Sequence, residues 1–412
     1  MRLGGRYLRP LAANRDYRLY FAANLVSNFG SWMQNTALYW LVLRITGSGS
    51  ALGALSLCLY GPVLVFGLLG GALADRVGPR RVLLGTQIGL AVAALLLFLL
   101  SVTGSQALLP VLGLSLARGF IICINAPSRQ AFLASVVQRE DLSSAISLNA
   151  SAWNASRILG PSVAGLVIAW SGVNVCFALN AVSYIGVIGA LFAIRPTRGA
   201  EHAEPRAEKT GRDLWSGLRY IRGQPYLTTI LLAFIAVSFI SISFAVLIPI
   251  FAFDRFHQNP SAYGFLSSAL GLGALLGATF AGAMEERGIF FIFASAAGLG
   301  VAELLMGAAH GFVIASLLLV VAGFFNTCFL TTINTILLFD SPKPLHGRVA
   351  AVYQYVNSGL SPLGSAVSGW IAEAGGIGAA FATGGAIALT ISVLGLARTG
   401  SMTRQRQANI VT

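Results

Sequence analysis

Residues 70–81 read GGALADRVGPRR, an aspartate and three arginines spaced by glycines between two of the longest apolar runs in the chain. A loop that merely reverses direction needs no such chemistry. A flank that fixes membrane topology needs the arginines, but neither the aspartate nor the glycines. The pattern Gly71-x-x-x-Asp75-Arg76-x-Gly78, followed by Arg80 and Arg81, therefore reads as a working part. Glycines let backbones approach closely, and a carboxylate at a helix end can accept from the exposed N–H groups of a neighbouring helix start.

The apolar runs on either side recur along the whole chain. Of the 412 residues, 56% are hydrophobic and 10% charged, against about 25% charged in soluble domains, and the mean hydropathy is +0.76. A helix crosses a hydrocarbon core of about 30 Å with roughly twenty apolar residues. Twelve stretches approach that length, near 17–43, 51–74, 82–102, 107–128, 142–170, 173–194, 227–253, 261–284, 289–309, 311–339, 347–374 and 377–397. The sequence predicts an all-α membrane protein with twelve transmembrane helices.

The formal net charge is +13, and its placement matters more than its size. Of 27 Lys and Arg, 23 fall in the N-terminal segment, in alternate loops or in the C-terminal tail. Only Arg44 and Arg255 lie on the opposite side, and Arg118 and Arg157 lie within spans. This is the positive-inside rule with both termini cytoplasmic. A nucleic-acid partner would need a basic, aromatic-bearing soluble domain, and none is expected. The four cysteines Cys58, Cys123, Cys176 and Cys328 lie far apart inside spans, without a disulfide framework or a C-x-x-C metal pattern. No short apolar region with a cleavage site follows the basic N-terminus, so the first span is expected to be uncleaved.

One extended polar interruption, residues 195–226, divides the spans six and six. Four parts are expected: a bundle over 1–194, a cytoplasmic linker over 195–226, a second bundle over 227–398 and a cytoplasmic tail over 399–412. Within the linker, Leu214, Trp215, Leu218 and Ile221 share one helical face beside Arg212, Arg219 and Arg222, as in a helix lying on a membrane surface. The halves echo one another: Gly119–Gly165 aligns without a gap on Gly323–Gly369 at an offset of 204, and Gly172 meets Gly376. The opening stretch has its own worn copy, since Gly282 stands four residues before Glu286-Arg287 as Gly71 does before Asp75-Arg76.

The run Gly71, Leu73, Asp75, Arg76, Gly78, Arg80 and Arg81 resembles the loop motif of the major facilitator superfamily, with Pro79 where that family carries a basic residue. Arg118-Gly119 in span 4 is similar to the arginine motif of its drug–proton antiporters. SRILGPSVAG in span 5, with Gly160, Pro161 and Gly165, is similar to their antiporter motif. Residues 125–161 resemble the subgroup containing the enterobactin and macrolide exporters, and span 11 departs by carrying Ser365 where span 5 has Pro161. The resemblance covers the whole chain. It implies the major facilitator fold of two six-helix bundles, alternating access, and export from a bacterial plasma membrane. No cofactor is expected beyond a proton gradient as the energy source. The resemblance also implies a gating set of Gly71, Asp75, Arg76, Gly78, Arg80, Arg81 and Arg348. Asp75 would cap the start of span 11 around Gly347-Arg348 when the cytoplasmic side is shut. An acid near the end of span 4 would meet the loop arginines, with Glu140, Asp141 and Asp340 as candidates.

Buried charge supplies the second set of candidates. Arg118 lies about 16 Å into span 4 and Arg157 about 22 Å up span 5, at roughly 1.5 Å per residue. An arginine at such depth costs roughly 2.5 kcal/mol or more unless it faces protein interior or a water-filled cavity. Asn24, Asn28, Ser31 and Asn35 form one face of span 1. Thr327, Thr331 and Asn334 do so in span 10, while Tyr353, Gln354 and Asn357 cluster in span 11. With Asn154, these are candidates for the substrate cavity, since spans 1, 4, 7 and 10 line it in the resembled fold; the alternative is hydrogen bonding between helices. Glu303 is the one carboxylate well inside a span, but span 9 is peripheral in that fold, which favours packing against a neighbouring helix. Gly271, Gly273 and Gly277 lie inside span 8 with no preceding strand, and so read as helix packing. His202, His257, His310 and His346 are scattered, which indicates no metal site.

A cavity with two arginines, several amides and aromatics such as Phe239 and Phe244, but no carboxylate, suits neutral or anionic amphipaths. A buried acid would be needed to offset the desolvation of a cation. Antibiotics, siderophores or lipid-like compounds are the expected substrates of a monomeric exporter. A lysophospholipid transporter and a non-transporting scaffold or sensor are the alternatives. An intramembrane enzyme would need a nucleophile–base or metal pair, and none stands out.

Overall fold

Helix boundaries follow local chemistry throughout the computed structural model, which describes residues 3–66, 77–104, 107–194, 210–284 and 288–411. Helix α1 (Leu3–Ala13) leads to Asn14, whose side chain accepts from the Tyr17 N–H and caps α2 (Arg15–Thr46). Gly47 ends α2 at φ 62°, and α3 (Gly49–Phe66) follows. Helix α4 (Pro79–Val102) starts on Gly78 at φ 94°, a conformation that glycine alone adopts freely. Pro79 then occupies the first helical position, where a missing N–H costs nothing. That is a local reason for the proline that departs from the family's loop. Next come α5 (Leu108–Val136), α6 (Leu142–Ser171) and α7 (Val173–Ala193). The second part contains α8 (Thr210–Arg222), α9 (Pro225–Ile240), α10 (Phe244–Arg255), α11 (Pro260–Ala283), α12 (Ile289–Ala308) and α13 (Phe312–Phe339). It ends with α14 (His346–Tyr355), a π-helical turn (Val356–Leu360) and α15 (Ser361–Val411), which breaks at Gly376.

Helices cover most of each stretch expected to span, but among the described residues eight stretches meet the length and apolarity needed to cross a membrane. The 32-residue α2 and the 30-residue α6 are long enough yet too polar, because both border the cavity described below. Three local expectations change. Helix α5 continues to Val136, so Arg129 sits inside a helix rather than in a loop. The expected span 227–253 is interrupted at Ser241–Ser243, between α9 and α10. The linker helix forms, but it docks on protein: Ile221 is fully buried, and a Cβ on Gly217 would lie 2.6 Å from the Arg348 carbonyl oxygen.

The helices pack as two sets. Helix α2 lies against α6 and α7, α4 against α5 and α7, and α3 against α5; in the other set α13 lies against α11 and α12, and α15 against α9 and α12. The sets meet chiefly where α6 crosses α11 and where α3 crosses α15. The internal repeat accounts for both crossings. A Cβ on Gly165 would stand 2.6 Å from the Pro260 carbonyl oxygen of α11, and its counterpart Gly369 presses still more closely on Gly49 of α3. Gly160 lies against Trp32 of α2, as Gly364 lies against Phe239 of α9. Gly119 approaches Cys58 of α3, as Gly323 approaches Leu270 of α11. Gly172 and Gly376 share the same backbone conformation, at φ 83° and 80°. Each glycine removes a side chain where two backbones must touch, the small-residue mode of helix association in lipid. Gly271 and Gly277, as expected, pack against Ile158 and Phe324.

Candidate functional site

A cavity of about 270 Å³ lies between the two sets. Trp32, Asn35, Thr36 and Tyr39 of α2, Tyr60 of α3 and Arg157 and Pro161 of α6 form one wall. Opposite stand Ile242 and Phe244 at the α9–α10 break, Tyr263 and Gly271 of α11, and Asn326 and Thr327 of α13. Arg157 is the one charged side chain in this lining, which contains neither Asp nor Glu. Trp40, stacked on Tyr263 with ring centroids 5.9 Å apart, ties α2 to α11 beside it.

The polar stripe of α2 holds arginines. Arg118 is 3% exposed and donates through Nη1 to Asn35 Oδ1 at 2.6 Å. Arg129, three turns further along α5, donates to Asn28 Oδ1 at 3.1 Å and lies 5.9 Å from the Trp153 ring centroid. Ser31 pairs with the Tyr184 hydroxyl on α7. Of the expected cavity residues, Asn35 and Arg157 reach the lining, with Thr327 of the α13 stripe. Asn24, Asn28 and Arg118 are buried behind it. Asn154 donates to Ala150 O of its own helix, Gln354 is exposed and donates to Ser358 Oγ at the π turn, and Thr331 and Asn334 lie outside the lining. Tyr353 is spent on packing: its ring stacks on Phe234 at 5.0 Å and its hydroxyl donates to Leu330 O. Sequence reasoning missed Arg129, the tyrosines Tyr39, Tyr60 and Tyr263, and Asn326. Arg129 was legible as an arginine four residues after Asn125 on one helical face, a register obscured by ending the span at 128.

Of the gating set, Gly71, Asp75 and Arg76 lie outside the described residues, as do Glu286 and Arg287 of the second copy. Arg80 donates through Nε and Nη2 to Leu191 O at 3.0 and 2.6 Å, so it caps the carbonyl end of α7, where a cation is favoured. Arg81 is exposed and the backbone of Arg348 abuts α8. Two acids expected to meet the loop arginines have other partners: Asp141 faces Arg9 at 3.6 Å, and Asp340 takes a bidentate contact from Arg406 at 2.7 and 3.0 Å. Pro161 and Gly165 form the α6 side of the α6–α11 crossing, stitched by a hydrogen bond from Ser162 Oγ to Ser268 Oγ, whereas Gly160 faces Trp32 of α2.

The α3–α15 crossing carries an acid on a helix start. Glu373 Oε2 accepts from the Ser50 N–H at 2.8 Å and from Ser48 Oγ at 2.7 Å, reaching from the second set to the first turn of α3. At the other crossing Asn259 caps α11 from within its own set. Glu373→Ala is expected to shift the equilibrium toward opening of this end by about two- to fivefold, the usual worth of one charge at a helix N-terminus. Spin labels at Thr103 and His310, both exposed at that end, read the change as a longer distance; an unchanged distribution would show the contact to be idle.

Two glycine-stitched sets of helices around a central cavity define a membrane transporter of the major facilitator fold. The chain belongs to the transmembrane secretion effector family, whose profile matches residues 7–409. It is similar to the multidrug efflux pump Tap of Mycolicibacterium fortuitum, 28% identical over 402 residues covering 92% of this chain and 93% of that protein. It is also similar to the enterobactin exporter EntS of Shigella flexneri, 25% identical over 368 residues covering 88% and 86%. A solved POT family transporter in complex with 5-aminolevulinic acid has the same fold, with a TM-score of 0.74 at 13% identity over 95% of this chain and 97% of that one. The family and these relatives are transporters, in keeping with a chain that is not an enzyme.

Proposed function

We propose that the chain is a proton-coupled exporter of small neutral or anionic amphipathic compounds, working by alternating access in a bacterial plasma membrane. Twelve spans form two six-helix halves, 1–194 and 227–398, which rock about the cavity; 195–226 links them and 399–412 is a tail, with both termini cytoplasmic. The substrate and the bilayer are its partners; it acts as a monomer and needs no cofactor besides the gradient. Asp75, with Gly71, Arg76, Gly78, Arg80, Arg81 and Arg348, closes the cytoplasmic end by the same acid-on-helix-start chemistry that Glu373 makes at the other.

The observation that carries the substrate class is the cavity wall, where Arg157 stands without a carboxylate and Arg118 lies one asparagine behind it. A cation entering such a cavity would be desolvated against like charge. Enterobactin, the substrate in the name of one relative, and the cationic dye ethidium separate the possibilities. In proteoliposomes the wild type is expected to move enterobactin about tenfold faster than ethidium, equivalent to ~1.4 kcal/mol of discrimination, and Arg157→Glu to reverse the order. Faster ethidium flux by the wild type would sink the substrate class. Movement of lysophospholipid in place of both compounds would favour the lipid-transporter alternative, and no flux of any of them a scaffold.

A further inference from the structure

Glu303 projects from α12 into the second set of helices and is 1% exposed. Neither carboxyl oxygen has a hydrogen-bond partner in bonding geometry among the described residues. The segments around it, 225–253, 312–339 and 377–397, contain no Asp, Glu, Lys, Arg or His. Their tyrosine and cysteine, Tyr226 and Cys328, are engaged with Asp340 and with the Gly277 carbonyl instead. Among the described residues a carboxylate would have no cation here, and its nearest donor, the Ser241 hydroxyl, is directed at Gly384 O, so ionisation would cost several kcal/mol.

What the acid meets is the break in the expected seventh span. A Cβ on Gly384 would lie 2.8 Å from Glu303 Oε2 and 3.4 Å from Ser241 Cα, so this glycine lets the carboxyl and the break share one pocket. Ser241 donates its hydroxyl proton to Gly384 O at 2.8 Å and so turns a lone pair toward its surroundings. A protonated carboxyl can donate to that lone pair; a carboxylate gains nothing from it. The buried hydroxyls of Ser238 and Ser243, near and within the break, also have no partner among the described residues. Ile242, between Ser241 and Ser243, lines the cavity with Phe244. One interrupted stretch of backbone thus has the acid on one side and the cavity on the other. Irregular backbone at membrane depth persists where it lines a cavity or is enclosed by protein.

We propose that Glu303 is a proton-binding site of the transport cycle, loaded in the arrangement seen here and unloaded when the Ser241–Ser243 break rearranges as the cavity changes sides. This rests on the proton-coupled reading above. With the proton on, the acid fits its apolar pocket; with the proton off, it favours an arrangement in which the break's hydroxyls turn their protons toward it or admit water. The residues that contact substrate and the residue that holds the proton are then distinct, joined through three backbone units.

Glu303→Gln preserves the shape and donor of the protonated acid, so it separates loading from folding. Three measurements on the full chain test the site. The apolar carbodiimide dicyclohexylcarbodiimide, which reacts with protonated carboxyls, is expected to modify the Glu303 peptide at pH 5 and at least about tenfold less at pH 9, one decade per pH unit past the midpoint. Labels at Thr103 and His310 are expected to move with pH in the wild type and to stay in the low-pH distribution in Glu303→Gln. Proteoliposomes are expected to show gradient-driven enterobactin flux in the wild type, whereas Glu303→Gln keeps enterobactin exchange and loses the gradient response. Equal modification at both pH values, or none, would overturn the assignment, as would a gradient response in Glu303→Gln. Enterobactin flux by the wild type that ignores the gradient would instead overturn proton coupling itself.

Discussion

Gly165→Val is expected to disfavour closure of the end remote from the chain termini and to cut transport about five- to 150-fold. A Cβ there would lie 2.6 Å from Pro260 O, 3.0 Å from Gly264 Cα and 3.1 Å from Ser261 Cα. All three atoms are backbone, so no rotamer change relieves the clash. Overpacking of this kind costs about 1–3 kcal/mol, which at ~1.4 kcal/mol per decade depopulates the closed state about five- to 150-fold. The cost falls only on the state in which α6 and α11 touch, so the variant should fold and insert normally. Labels at Thr103 and His310 should report the open distance, and flux should fall with it. Gly61→Ala is the control, because nothing lies within 4 Å of a Cβ there. Wild-type distances and flux in Gly165→Val would mean that the crossing yields freely, and the antiporter motif would need another explanation.

The second large effect is an order of stabilities. Asn35→Leu should destabilise the protein more than Arg118→Met, although the arginine is the larger and charged residue. Asn35 Oδ1 holds the buried guanidinium at 2.6 Å, while Arg118 Nε has no partner among the described residues. Removing the amide strands a buried cation, a loss of about 3 kcal/mol. Removing the arginine leaves an amide that lines the cavity and can be solvated there, a loss of about 1 kcal/mol. The double variant should recover part of what Asn35→Leu loses, giving a coupling energy of about 1–3 kcal/mol. Thermal unfolding in detergent measures all three. A larger loss in Arg118→Met would show that packing of the arginine stem, not its charge, is what the site depends on.

Both effects were half legible beforehand. The glycines of SRILGPSVAG stood out as a motif, and the offset of 204 paired them with span 11, but neither named the helix that each glycine touches. Arg118 and Asn35 were each candidates for substrate, on separate helices. Their bond to each other makes one the support of the other and leaves Arg157 as the charge that faces the cavity. By sequence Asp340 is one candidate partner for the loop arginines, yet the chain brings Arg406 to it from the tail. Glu373 is illegible by sequence, because an acid near the end of a span reads as a flank until the start of α3 is placed beside it.

Residues 70–81 and the runs around them were enough to determine a polytopic α-helical membrane protein with charge biased to one side, and the resemblance of their motifs implied the major facilitator fold. Hydropathy, loop charge and internal repetition are properties of the chain read along its length, and transfer energies add residue by residue. Polarity along α2 was likewise legible, since a period of three to four residues is local. Direction was not. Which arginine meets an amide and which meets the cavity, which acid caps a helix and which is sealed beside a broken one, depend on neighbours far away in sequence, 83 residues for Arg118 and Asn35 and 325 for Glu373 and Ser48. In a low-dielectric interior a charge takes its meaning from the few atoms within about 4 Å, and only the tertiary structure decides which atoms those are.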